Sequence, residues 1–271
     1  MAEKERLDIL LSKLGLAESR EKARAYIISG IVRVNGEKQM KPSLLVSADD
    51  RVEVIPVEEK YASRGGLKLE KAFVEFPFKV EGLTGADIGA STGGFTHCLL
   101  LHGAKKVYAI DVGYGQLDWK IRKDSRVIVM ERTNARYLAP GMFSEKLQFA
   151  TIDVSFISVK KILPALDSCL EKGAQVVTLI KPQFEAGRGQ AKKGVVRDGK
   201  IHSEVVKEIC TFFAAEGHEI AGLTYSPVKG PKGNIEFLLY TRFLNTRAIT
   251  VPEALSGKIE SLVLEAHSKL F

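Results

Sequence analysis

The amino-acid sequence reads as an α/β chain: a doubly wound, mostly parallel sheet closed by an antiparallel hairpin, with a small α+β domain at its N-terminus. Three observations carry this reading. From about Leu67 onward, short β-branched runs alternate with helical ones, the rhythm of βαβ units. One of these runs, Leu83 to Ile88, enters a glycine-rich turn that opens a helix. Residues 1–60 follow another plan, two short helices and then small strands, and so read as a separate module. The expected bounds are 1–60 for the small domain, 61–66 for a linker and 67–271 for the sheet domain.

In the small domain, Leu7, Leu10, Leu11 and Leu14 recur at helical spacing and end at Gly15. A second helix is expected from Ser19 to Ser29, with Ser19 as its N-cap and Ala23, Tyr26 and Ile27 on one face. Gly30 stops it. Ile31 to Val34 then reads as a strand, Asn35-Gly36 as a hairpin turn, and Arg51 to Val54 as a later strand.

The linker YASRGG is followed by a helix running to about Phe76 and ended by Pro77. Strands are expected at 83–88, 106–111, 127–130, 149–154 and 176–180, with helices over 95–103 and 163–170. Residues 218–226 and 235–243 read as the closing hairpin, around Gly230-Pro231-Lys232-Gly233. A last helix opens at Thr250 to Glu253, a capping-box spacing with proline inside it.

Composition narrows the function. Hydrophobic residues make up 45% and charged residues 27% of the 271, as in a globular protein. No apolar run reaches transmembrane length and the N-terminus lacks a signal peptide, so a cytoplasmic protein is expected. Cys98, Cys169 and Cys210 form neither a disulfide framework nor a zinc pattern, and the five histidines include no HExxH, so no metal is expected. The net charge of +7 favours a polyanionic partner. Inside the small domain charge is segregated: from Asp49 to Lys60 acids outnumber bases, while from Arg20 to Lys41, Arg20, Lys22, Arg24, Arg33, Lys38 and Lys41 face only Glu21 and Glu37. Such a run is either a solvated face or an RNA-binding one.

The glycine turn reads Asp87-Ile-Gly89-Ala-Ser91-Thr-Gly93-Gly94-Phe95-Thr96. A P-loop fits the spacing but has Phe95 where its lysine belongs. A dinucleotide loop has Ser91 where its second glycine must approach a pyrophosphate. A methyltransferase loop needs no such cradle: glycines let the backbone approach the amino-acid part of the cofactor, and Asp87 is available to meet it. The third reading fits best, with a plain structural turn as the bland one. Asp111, 24 residues after Asp87, ends the second strand, either to accept ribose hydroxyls or to cap a turn. Glu131 to Asn134 is a natural edge for an adenine, although Asn134 is equally suited to a turn.

Four further residues bear on the reaction. Asp153 and Lys181 end strands at the carboxyl edge of the sheet, where open α/β sheets bind ligands; Lys68 follows the linker and Glu236 opens the last strand. Two resemblances join these observations. The stretch from Arg6 to Val54, above all SREKARAYIISGIVRVNG, resembles the S4 RNA-binding domain. The second region resembles the FtsJ-like RNA ribose methyltransferases, whose Lys-Asp-Lys-Glu tetrad falls on Lys68, Asp153, Lys181 and Glu236. The order of the two domains is similar to that of the TlyA family, which also carries an old haemolysin label.

The resemblance implies S-adenosylmethionine as cofactor, bound through Asp87, Gly89, Ser91, Gly93, Gly94, Asp111, Asn134 and Asp153. It implies ribosomal RNA or a ribosomal subunit as partner, and methylation at cytidine riboses. Arg20, Lys22, Arg24, Arg33, Lys38 and Arg64 are the expected RNA contacts. Lys181 is the expected general base or positioning donor; a free lysine has a pKa of roughly 10.4, so a base role requires the neutral form. Asp153 and Glu236 would orient the lysines, with Asp153 also approaching the cofactor's amine. The competing reading is an RNA-binding assembly factor with a catalytically silent methyltransferase fold; a membrane-active haemolysin finds no apolar span and no strongly amphipathic basic helix.

Overall fold

Ser19 begins the second helix of the chain as its residue type suggests, its side chain accepting a hydrogen bond from Lys22 N at 3.2 Å. The computed structural model describes residues 4–47, 49–55, 60–187, 189–191, 193–246 and 254–270. It divides into two compact units, residues 1–59 and 60–271.

The first unit holds β1 (Lys4–Arg6), α1 (Leu7–Lys13), α2 (Arg20–Ile28), β2 (Val32–Val34), β3 (Glu37–Gln39), β4 (Leu45–Ser47) and β5 (Val52–Val54). β2 pairs antiparallel with β3 and β5, and β1 with β4. Leu7, Leu11, Ala23, Ile27, Val32 and Val46 form its core. The β2–β3 turn needs positive φ at both central positions, and Asn35 (52°) and Gly36 (82°) supply it. Asn35 also ties the turn to the next strand: its Oδ1 accepts from Arg51 N at 2.9 Å and its Nδ2 donates to Asp50 at 2.8 Å.

The second unit holds α3 (Gly65–Glu75), β6 (Thr84–Ile88), α4 (Gly94–Leu101), β7 (Lys106–Ile110), α5 (Trp119–Arg122), β8 (Val127–Met130), β9 (Leu147–Ile152), α6 (Leu163–Asp167), β10 (Leu170–Ile180), α7 (Pro182–Glu185), α8 (Gly199–Ala215), β11 (His218–Tyr225), β12 (Phe237–Phe243) and α9 (Ala254–Leu270). The sheet order is β11-β12-β10-β9-β6-β7-β8. The five strands from β10 to β8 run parallel, and β12 is antiparallel to both neighbours. Residues of α6, α8 and α9 build the core on one face, residues of α3 and α4 the core on the other. This is the doubly wound sheet with a closing hairpin that the alternation implied. β6 lies inside it, every residue buried, as a central parallel strand requires.

Three differences from the sequence reading have physical reasons. The segment 61–66 is packed and partly helical: Tyr61 is buried, and Gly66 has no room for a side chain because its Cβ would lie 2.1 Å from the Tyr61 ring. α6 ends at Asp167 instead of Leu170, because Leu170 already pairs with Leu147 in the sheet. The 17-residue α8 was not expected. Its signals are present: Asp198 caps it by accepting from Lys200 N at 2.8 Å, and Val205, Val206, Ile209, Cys210 and Phe213 face inward. The cap expected at Thr250 to Glu253 lies outside the described residues.

Candidate functional site

The site is built on the carboxyl ends of β6, β7, β9 and β10. Gly89 leaves β6 with φ +87° and donates its N–H to Ile110 O at 2.8 Å. A side chain there would meet the backbone oxygen of Asp153 at 2.5 Å, so the crossing of these two chains demands glycine. Gly93 is the left-handed N-cap of α4. Gly94 lies against the start of α3, where a Cβ would stand 2.3 Å from Ser63 Oγ. Ser91 takes a positive φ of 48°, and its N–H donates to Asp111 Oδ2 at 2.9 Å. Asp111 Oδ1 accepts from Gly113 N at 2.7 Å. Each Asp111 oxygen keeps a second lone pair, so stapling the turn does not exhaust the carboxylate.

A cavity of about 530 Å³ opens beside this turn, lined among others by Gly89, Ser91, Asp111, Asn134, Asp153 and Phe156. A second, of about 370 Å³, is lined by Arg64, Lys68, Phe95 and Lys229 and shares Gly89, Ser91 and Asp153 with the first. The first volume lies in the range of small-molecule sites. Asn134 both lines it and caps the following turn, accepting from Arg136 N at 3.1 Å. Glu131 is turned to structural use, accepting from Gly115 N at 2.8 Å and from Arg122.

Asp87 is not in the cavity. It is fully buried beneath the turn, where its two oxygens accept from Thr96 Oγ1 (2.6 Å) and Thr151 Oγ1 (2.9 Å). Burial pushes its pKa up to about 7, against the two threonine hydrogen bonds that favour the charged form. Its action on any ligand therefore runs through the position of the glycine turn.

The structure brings the other four residues together as two inward-facing pairs. Lys68 Nζ on α3 donates to Glu236 Oε2 at 2.6 Å, and Glu236 is fully buried. Lys181 Nζ, just past β10, lies 2.6 Å from Asp153 Oδ1 and donates to Ser155 Oγ at 3.0 Å. The Lys181–Asp153 contact is an ion pair whose angles fall outside hydrogen-bond geometry, so Asp153 Oδ1 keeps unused accepting capacity. Gln183 Nε2 reaches the other Glu236 oxygen at 3.4 Å. Gly230 makes room for that carboxylate, since a Cβ there would lie 2.1 Å from Glu236 Oε1.

Sequence reasoning missed Ser155, Gln183 and Phe156. Phe156 lines the first cavity, is 90% exposed, and holds a left-handed φ of 65°, an uncommon conformation for a bulky residue. Its ring lies 5.0 Å from that of Phe184. The available signal was position: it stands three residues after Asp153 at a strand's carboxyl end.

The expected RNA contacts other than Arg64 lie apart from this pocket in sequence. Lys22, Arg24, Arg33 and Lys38 are exposed in the first unit. Arg20 is partly engaged, donating to the buried Asp8 at 3.2 Å alongside Arg6. Arg64 is exposed at the second cavity. Among the described residues one set of possible metal ligands converges, Glu70, Cys98 and His102. Glu70 is already satisfied by Lys60, Tyr61 and His102, and burial raises the Cys98 thiol far above its usual range, so the set reads as the hydrogen-bonded seam of α3 and α4.

Comparison with known proteins agrees with this architecture. Residues 61–243 match the FtsJ-like methyltransferase model and residues 5–52 the S4 domain. The chain is 50% identical to the Bacillus subtilis protein YqxC over 273 residues, 99% of this chain and 96% of that one. It is 42% identical over 252 residues to the 16S/23S rRNA (cytidine-2'-O)-methyltransferase TlyA of Mycobacterium tuberculosis, covering 92% of this chain and 94% of the other. A solved structure of a hemolysin-labelled protein from Streptococcus thermophilus superposes with a TM-score of 0.78 at 45% identity, covering 99% and 98% of the two chains. Two matched domains in this order, a doubly wound sheet and full-length relatives place the chain in the TlyA family, an FtsJ-like methyltransferase that carries an S4 domain.

Proposed function

We propose that the protein transfers the methyl group of S-adenosylmethionine to the 2'-hydroxyl of a cytidine ribose in small-subunit RNA, large-subunit RNA or both, in the cytoplasm. The observation that carries this reading is the pair of inward-facing lysine–carboxylate contacts, Lys68–Glu236 and Lys181–Asp153, beside two cavities that share Asp153. The first cavity fits the cofactor: glycine backbone at Gly89, a carboxylate with free lone pairs at Asp111, and the Asp153 oxygen within reach of an amine. When bound, S-adenosylmethionine supplies an electrophilic methyl group on a sulfonium.

The residues of the chain do the rest. A ribose hydroxyl is a weak nucleophile until its proton is drawn away. Lys181 has three hydrogens; one goes to Ser155 and the ion pair with Asp153 holds the ammonium in place, which leaves a hydrogen for the hydroxyl oxygen. Lys181 then holds the oxygen in place and stabilises negative charge growing on it, while the hydroxyl proton leaves to solvent at the cavity as the oxygen takes the methyl group. Glu236 fixes Lys68 from a fully buried position, so that the second ammonium faces the cavity shared with Asp153. Alignment of the oxygen with the methyl group is the main contribution, since positioning alone is worth several orders of magnitude. Lys22, Arg24, Arg33 and Lys38, with Arg20, meet RNA phosphates from the first unit, and Arg64 does so at the second cavity.

Mass spectrometry of ribosomal RNA from cells with and without the gene tests the reading. The expected result is one or more 2'-O-methylcytidines lost with the gene and restored by the wild-type chain but not by Lys181→Ala. Identical methylation in both cell lines would leave the chain as an RNA-binding protein with a silent methyltransferase fold. Calorimetry should give binding of S-adenosylmethionine and none of NAD, because Ser91 stands where a pyrophosphate would need glycine.

A further inference from the structure

The loops after β7 and β8 carry a group of residues that methyl transfer does not use. Tyr114 and Tyr137 are each 69% exposed. Each ring faces a guanidinium: Arg132 lies 4.3 Å from the Tyr114 centroid, and Arg136 5.2 Å from that of Tyr137. The acids of the same stretch are engaged elsewhere. Glu131 pairs with Arg122, Asp124 with Arg126, and Asp118 caps α5. Arg132 and Arg136 thus have no acidic partner among the described residues, and both are exposed.

The geometry is fixed, not incidental. Arg132 holds a left-handed φ of 52°, secured by its N–H to Gly113 O at 3.1 Å and by Thr133 N to Asp111 O at 2.9 Å. These bonds zip the two loops together at the mouth of the first cavity, which Asn134 and Arg136 line. Strained backbone of this kind persists where the surroundings hold it, often at functional sites. Exposed rings interleaved with unpaired cations are how proteins hold unpaired nucleic acid: bases stack on the rings and phosphates meet the cations. A duplex cannot use such rings, because its bases are already stacked.

We propose that this face binds unpaired RNA, with nucleotides neighbouring the target ribose stacking on Tyr114 and Tyr137 and their phosphates meeting Arg132 and Arg136. The assignment rests on the RNA methyltransferase reading and adds to it a second RNA surface, on the sheet unit, of a different kind from the basic face of α2. The first unit grips RNA through its backbone; this face takes a strand whose bases are free.

The test uses the full chain, fluorescence anisotropy, a labelled oligocytidylate of about a dozen nucleotides and an RNA duplex of the same length. Tyr114→Leu with Tyr137→Leu should weaken oligocytidylate binding about tenfold or more. Arg132→Gln should weaken it and make its salt dependence shallower. Duplex binding and S-adenosylmethionine affinity should stay within about twofold of wild type, since these residues serve neither. Three results would overturn the assignment: unchanged oligocytidylate binding, an equal loss on duplex, or a parallel loss of cofactor affinity, which would give the rings to the cofactor. Wild-type chain that ignores the oligocytidylate would overturn it too. Methylation of ribosomal RNA by the same wild-type sample separates that failure from a failure of the methyltransferase reading.

Discussion

Lys181 Nζ has three hydrogens to give; Ser155 receives one, and the ion pair with Asp153 holds the ammonium in place. Lys181→Ala removes the donor to the hydroxyl but leaves the glycine turn and Asp111 untouched. Methyl transfer should fall by at least about a hundredfold while cofactor affinity stays near wild type; near-normal turnover would take the residue out of the mechanism. Gly230→Ala reaches the same site from the other side. A Cβ 2.1 Å from Glu236 Oε1 forces the carboxylate off Lys68, so kcat should drop, with overpacking costing about 1–3 kcal/mol of stability. Asp87 makes a different, pH-dependent prediction. Its pKa rises from 3.8 to about 7 in the folded chain, so the folded state holds a proton that the unfolded chain gives up. The stability from that bound proton is full below pH 4 and is lost as pH climbs through 7. Asp87→Asn keeps the shape and one accepting oxygen, the other threonine hydroxyl turning to accept from the amide, and it cannot ionise. Relative to this variant, the wild type should lose on the order of a few kcal/mol between pH 4 and 8, read by urea unfolding. Parallel pH profiles for the two chains would show that Asp87 does not titrate there.

The loop after β9 shows why elements matter beyond the residues they carry. It runs from Asp153 through Ser155 and the left-handed Phe156 to Ser158. Glu185, on α7 just beyond Lys181, anchors its far end: the carboxylate accepts from Ser158 Oγ at 2.5 Å and from Val159 N at 2.8 Å. Burial pushes the Glu185 pKa up in spite of those bonds. Glu185→Ala should release the loop, lower kcat more than cofactor affinity, and cost about 1–3 kcal/mol in unfolding; unaltered kinetics would show that the anchor is structural only. This loop was invisible in the sequence, and the reason is physical. Strands, the glycine turn and the closing hairpin announce themselves through periodicity and turn chemistry, which are local. Lys68 and Glu236 meet across 168 residues, and no spacing rule joins them; the family resemblance did. Asp87 seemed a cavity residue because motif position says nothing of depth, which Thr96 and Thr151 decide. α8 was missed although its cap and inward stripe are ordinary, because the alternation was followed strand by strand.

At the scale of the whole molecule, the chain joins a unit of 59 residues, with its cations clustered between Arg20 and Lys41, to a catalytic unit beginning at Lys60. Residues 60–66 belong with the catalytic unit in their contacts, since Lys60 pairs with Glu70 and Tyr61 fills the space over Gly66. A chain that starts at Lys60 therefore keeps its core, Lys68 and the glycine turn, and should bind S-adenosylmethionine as the full chain does. It should lose most methylation of ribosomal RNA, because the exposed cations proposed to meet RNA phosphates go with the first unit. A gentler version leaves the fold intact. Arg20 is a poor choice, for it helps neutralise the buried Asp8, whose carboxyl is held below its usual range chiefly by Arg6. Lys22, Arg24 and Arg33 are exposed and pair with no acid among the described residues. Replacing these three with alanine removes charge without removing core. Such cations position a protein on RNA without reading bases, so binding should weaken evenly across RNA sequences. The slope of affinity against salt should become shallower by about two, at about 0.7 for each phosphate no longer neutralised. Filter binding at several salt concentrations measures both. If the chain beginning at Lys60 methylates ribosomal RNA as fast as the full chain at physiological salt, the first unit has some task other than holding RNA.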